Sequence, residues 1–79
     1  MAETGKNERV LDIYTRLLNG ETVNKFEAAS RYGVNEKSIQ RDIDDIRDFF
    51  SQKLLEDGQG KAVVYNRKTG GYYLETRNQ

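Results

Sequence analysis

Residues 28–46 read AASRYGVNEKSIQRDIDDI, and this stretch decides the fold. It divides into the end of one helix, a tight turn and the start of another. Ala29 is the small residue a close helix contact needs, Gly33 is a turn glycine, and Val34 and Ile39 are apolar residues that lock the pair. That is the pattern of a helix-turn-helix. The second helix of the pair opens with Asn35, Glu36, Lys37, Ser38, Gln40 and Arg41. Asn35 caps it, and Glu36 complements the dipole of its first turn. Lys37, Ser38, Gln40 and Arg41 are side chains of the kind that meet phosphates and base edges. The expectation is a DNA-binding module.

Downstream, Ile39, Ile43, Ile46 and Phe50 recur at helical spacing and form a core stripe. Lys37, Gln40, Arg41, Asp44 and Asp48 point the other way, so the exposed face changes sign along its length. Only its N-terminal half suits a polyanion, which predicts a helix that enters a groove by its first two turns. The helical pattern continues weakly through Leu54 and Leu55 until Asp57-Gly58-Gln59-Gly60 breaks it. Residues 62–65 are then β-prone, residues 66–71 (NRKTGG) are turn chemistry with a basic tip, and residues 72–74 return as a strand. Tyr72 and Leu74 share one strand face, Tyr73 and Glu75 the other.

Upstream, a first helix is expected from about Asn7, which caps a turn containing Glu8. Val10, Tyr14, Leu17 and Leu18, flanked by Ile13 and Leu11, form its apolar face, and Asn19-Gly20 stops it. Glu21 to Val23 is a short extended link. A second helix starts at Asn24, which has the spacing of a reciprocal capping box with Glu27, and turns Phe26, Ala29 and Tyr32 inward. Three helices followed by a hairpin with a basic tip make an α+β winged helix-turn-helix.

At 79 residues there is room for one domain with a small core. The absence of His and Cys removes disulfides, thiolate chemistry, zinc-finger ligation and the commonest general base at neutral pH. Adjacent acids such as Asp44-Asp45 and Glu56-Asp57 point apart on a helix, and no third ligand has suitable spacing. Neither an enzyme nor a metal or cofactor site is expected. No stretch approaches the ~18 to 20 apolar residues of a membrane span, so the expected location is the cytoplasm.

The 13 basic and 13 acidic residues cancel, but unevenly along the chain. Residues 36–57 carry four basic and seven acidic residues, whereas 58–79 hold Lys61, Arg67, Lys68 and Arg77 against Glu75 alone. A polarised domain can still dock one basic surface on phosphate, although weakly by itself.

The sequence resembles the N-terminal winged helix-turn-helix domain of bacterial DeoR-like and WYL-domain transcriptional regulators. The resemblance rests on Ala29, Gly33-Val34-Asn35, residues 38–43 (SIQRDI), Val64-Tyr65-Asn66 and Gly71-Tyr72-Tyr73-Leu74, and spans about residues 8–75. Asn35 stands where the family usually has Ser, and Ser38 where Thr is commoner. The resemblance implies operator binding by a dimeric regulator, usually with a larger effector-sensing domain following the winged helix. This chain lacks that domain, and reads either as a piece of a longer regulator or as a small stand-alone one.

Each candidate has a plainer reading beside it. Lys37, Gln40 and Arg41 could be a solvated helix face; second in a helix-turn-helix, they are favoured as groove contacts. Gln40 can bind adenine, and Arg41 guanine or a phosphate. Ser38 donates to a phosphate or caps the first turn with Asn35. Asp42, an acid inside this helix, reads as structural, neutralised by Arg31 or Arg16 or orienting Arg41 or Arg47. Asn66, Arg67, Lys68 and Thr69 could be an ordinary solvated turn; beside a helix-turn-helix they are expected to touch the backbone or minor groove of double-stranded DNA. Tyr72 and Tyr73 read as hairpin packing. The rival class is a protein-interaction module that uses the acidic Asp44, Asp45 and Asp48 surface.

Overall fold

The computed structural model describes residues 5–78. Three helices, α1 (Lys6–Leu18), α2 (Lys25–Tyr32) and α3 (Glu36–Asp57), precede two strands, β1 (Gln59–Asn66) and β2 (Gly71–Asn78). The strands pair antiparallel from Gln59 opposite Asn78 to Asn66 opposite Gly71. This is the expected α+β arrangement of three helices and a C-terminal hairpin wing.

The helix boundaries follow from their caps. Asn24 Oδ1 accepts from the Glu27 amide at 3.0 Å, and Asn35 Oδ1 accepts from the Ser38 amide at 2.9 Å. Gly33 and Gly58 end α2 and α3 in the left-handed region, at φ +69° and +72°. Two details differ from the sequence expectation. Helix α1 begins one residue before Asn7, and its N-cap, Gly5, offers no side chain. The Asn24 capping box is not reciprocal, because the Glu27 carboxylate turns to Arg16 (3.0 Å) and Arg31 (2.9 Å).

The core gathers Ile13 and Leu17 of α1, Ala28, Ala29 and Tyr32 of α2, Ile39, Ile43, Ile46 and Phe50 of α3, and Val63 and Tyr72 of the hairpin, around Val23. The α3 stripe is the one read from its spacing. On α1 the buried line is centred on Ile13 and Leu17, which leaves Leu11 and Leu18 exposed. Phe26, expected to face inward, is 73% exposed, because the neighbouring Ala28 and Ala29 occupy the α3-facing side of this short helix. Tyr14 stacks on Phe50 at 5.6 Å with Phe49 edge-on, and a groove of about 410 Å³ runs beside them between α1 and α3.

Both strands are longer than the sequence suggested, beginning at Gln59 and ending at Asn78. Cross-strand pairing carries residues such as Lys61 and Thr76, opposite each other, that have no apolar alternation to announce them. The α1–α2 link also joins the sheet. Val23 donates to the Tyr72 carbonyl at 2.7 Å and accepts from the Tyr72 amide at 2.8 Å. Gly71, which is buried, lies against this crossing, and a Cβ there would sit 2.5 Å from Thr22 Cγ2 and 3.1 Å from the Val23 carbonyl oxygen.

Three charged side chains lie inside. Asp42 is fully buried and paired with the Arg9 guanidinium, whose Nη2 donates to Oδ1 at 3.3 Å, while Lys6 Nζ approaches the same oxygen at 3.4 Å. The structural role expected for Asp42 holds, but its partner comes from α1 and is neither Arg31 nor Arg16. Arg16 instead reaches Glu21 (3.1 Å), Glu27 and the Tyr32 hydroxyl (3.5 Å). Burial opposes the Arg16 charge, but the hydrogen bonds to Tyr32, Glu27 and Glu21 outweigh it and hold the guanidinium above its ordinary pKa. Burial, then the hydrogen bond that Tyr32 donates to Asp12, raises the tyrosine pKa above its ordinary 10.0.

These contacts make three predictions, each read by chemical denaturation. Gly71→Ala should cost about 1–3 kcal/mol through overpacking against Val23, whereas Gly60→Ala, with no neighbour nearer than 3.6 Å, should lose nothing. Arg9→Met should cost about 3 kcal/mol because Asp42 stays buried without its main partner. Adding Asp42→Leu should recover most of that loss. Tyr32→Phe should cost about 1.5 kcal/mol at neutral pH. The folded chain holds the Tyr32 proton more tightly than the unfolded one, so this stabilisation is complete below the ordinary tyrosine pKa and is lost as pH rises through the raised folded value. The margin between wild type and Tyr32→Phe should therefore shrink above about pH 10.

Candidate nucleic-acid interface

Helix α3 presents two edges beside its buried stripe. At about 100° per residue, Lys37, Arg41, Asp44 and Asp48 fall within a sector about 60° wide, opposite the stripe. Lys37 and Arg41 are exposed and have no ion-pair partner among the described residues. Gln40 and Arg47 lie on the flank of that sector nearer the hairpin. Their partners come from α2, from β2 and from α3 itself.

Gln40 Oε1 accepts from Lys25 Nζ at 2.9 Å and from the Tyr72 hydroxyl at 3.1 Å. Gln40 Nε2 donates to Asp44 Oδ1 at 3.0 Å, and Arg47 Nη1 reaches the same carboxylate oxygen at 3.4 Å. The Arg47 guanidinium lies 5.8 Å from the centre of the Tyr72 ring, which closes the circuit. Tyr72 in turn packs on Tyr65 across the strands at 5.0 Å.

The hairpin turn is anchored to the same region. Asn24 Nδ2 donates to the Gly70 carbonyl at 2.7 Å, so the residue that caps α2 also holds the wing turn. Within the turn, Asn66 Oδ1 accepts from the Lys68 amide at 2.9 Å, the Thr69 hydroxyl donates to the Asn66 carbonyl at 3.4 Å, and Gly70 takes φ +71°. With Asn66 folded back, Arg67, Lys68 and Thr69 are exposed. Arg67 and Lys68 have no ion-pair partner among the described residues. The side chain of Arg77, part of the C-terminal basic surplus, lies outside the described residues.

The sequence-predicted set is thus brought to two places. Asn35, Glu36, Lys37, Ser38, Gln40 and Arg41 occupy the first turns of α3, and Asn66, Arg67, Lys68 and Thr69 occupy the wing turn. The N-terminus of α2 lies between them. Asn35 caps through its own side chain and Ser38 supplies only its backbone amide, which leaves the Ser38 hydroxyl without a protein partner among the described residues. Sequence reading missed Asn24, Lys25 and Tyr72. Their partners stand 15 to 46 positions away, and no local spacing signals such a contact.

The acidic residues are handled unequally. Asp42 is buried, Asp44 is engaged by Gln40 and Arg47, and Asp45 pairs with Lys6 at 3.4 Å, while Asp48 is exposed. Among the described residues no group of acids is placed to hold a metal ion, and no helix is long and apolar enough to cross a membrane. No family model, characterised protein or solved structure matches this chain.

Proposed function

We propose that the chain binds double-stranded DNA to regulate transcription, with the first two turns of α3 in the major groove and the wing turn on the flanking backbone. The observation that carries this reading is the division of the cations. Arg9, Arg16, Arg31 and Arg47 are spent on internal carboxylates, whereas Lys37 and Arg41 on α3 and Arg67 and Lys68 on the wing turn are left for an external anion. The two groups flank one α2 N-terminus, whose helix dipole also favours phosphate. Net charge is zero, so the isolated domain should bind weakly, at the ~10⁻⁴ to 10⁻⁶ M of non-specific contacts.

The resemblance to DeoR-like and WYL-domain regulators belongs to the same reading, and with it operator specificity, a cytoplasmic location and action as a dimer. The apolar groove between α1 and α3, rimmed by the exposed Leu11 and Phe49, supports pairing on a side of α3 turned away from Lys37 and Arg41. The rival use of an acidic face is weakened by the engagement of Asp44 and Asp45 inside the domain.

Titrating ¹⁵N-labelled protein with a short duplex should move the amides of residues 35–41 and 66–69 at low salt and far less at high salt. Lys37→Glu with Arg41→Glu should abolish these shifts. Arg67→Ala should weaken binding to all sequences alike and lower the log–log salt slope by about 0.9, the contribution of one neutralised phosphate. Unmoved amides at low salt would overturn the proposal.

A further inference from the structure

We infer that Gln40 is held as a donor-only reading group, so that α3 favours guanine or thymine at the base it meets and cannot form the two-bond pair with adenine. The inference rests on the DNA-binding reading above and names the specificity of the same surface.

A lysine ammonium can only donate and a carboxylate can only accept. The atom 2.9 Å from Lys25 Nζ must therefore be the amide oxygen, and the atom 3.0 Å from Asp44 Oδ1 the amide nitrogen. The network itself excludes the flipped orientation. An amide oxygen has two lone pairs, and Lys25 and the Tyr72 hydroxyl, at 3.1 Å, take both. Of the two Nε2 hydrogens, one goes to Asp44. The half-buried side chain is left with one N–H to offer and nothing with which to accept.

The major-groove edges respond differently to such a group. Adenine is normally read by glutamine through two bonds, one of which needs the amide oxygen to accept from adenine N6. That oxygen is filled, so adenine keeps only N7 to accept the remaining N–H, while its neighbouring amino group presents a donor to a side chain with no acceptor. Cytosine likewise presents a donor. Guanine offers N7 and O6, and thymine O4, all acceptors for the remaining N–H. Tyr72 is fixed by the Val23 bridge and its packing on Tyr65, and Asp44 is fixed by Arg47, so the orientation of the amide is set before DNA arrives.

The test is selection of bound duplexes from a randomised library by the full chain and three variants. Gln40→Ala identifies the position that Gln40 reads, as the one where the preference flattens. Wild type should enrich guanine or thymine there. The pair Lys25→Met with Tyr72→Phe frees the amide oxygen and should raise the adenine-to-guanine ratio at that position about tenfold, the discrimination of one bidentate pair. Asp44→Ala, which frees the second N–H but not the oxygen, should not bring adenine in. Lys25→Met also removes a cation, but a lost phosphate contact weakens all sequences equally and leaves the base ratio unchanged. Amide spectra of each variant confirm folding, since Tyr72→Phe keeps the buried ring.

Selection of adenine by wild type, an unchanged ratio in the double variant, or no position altered by Gln40→Ala would overturn this inference while leaving DNA binding intact. Failure of wild type to retain any duplex overturns the functional reading, and this inference with it.

Discussion

Two backbone hydrogen bonds between Val23 and Tyr72 fix where the hairpin lies against the helices. A two-stranded hairpin is marginal in water by itself, so its position must come from what it is joined to. The bonds add the α1–α2 link to the edge of β2, and Gly71 allows the link to cross within van der Waals contact of the strand. Tyr72 then presents its ring to the core and its hydroxyl to Gln40, so the same residue that registers the wing also registers the exposed flank of α3. The Asn24 bond to Gly70 repeats the connection at the wing turn.

Electrostatics on this fold are decided by pairing more than by composition. A chain with equal numbers of acids and bases exposes cations without an ion-pair partner among the described residues at α3 and the wing turn, while Arg9 and Arg16 join elements and Arg31 and Arg47 pair within their own helices. The Arg9–Asp42 pair connects α1 to α3, and Arg16 connects α1 to α2 and to the link before it. Buried pairs of this kind contribute little net stability over apolar replacements, but they penalise any packing that leaves one partner alone. Asp42 is thereby kept off the exposed face of α3 that carries Lys37 and Arg41.

Gln40 illustrates how the fold limits what a side chain can offer. From sequence it is a side chain able to read adenine, because a free amide has a donor and an acceptor side by side. In the fold its acceptor is already filled from α2 and β2 and one donor from Asp44. The identity of the residue sets which bonds are available, and its neighbours set which remain.

The order of elements, the caps at Asn24 and Asn35, the left-handed stop at Gly33 and the buried stripe of α3 were all legible in the sequence, because each depends on residues within a few positions of one another. So was the placement of the candidate contacts on the first turns of α3 and the hairpin turn. The outward turn of Phe26, the Arg9 partner of Asp42, the full length of the strands, the Val23 bridge and the network around Gln40 were not. Local periodicity and capping are short-range properties that a sequence states directly. Which side chain meets which across 30 or more positions depends on how the helices and hairpin pack, and only the tertiary structure decides that.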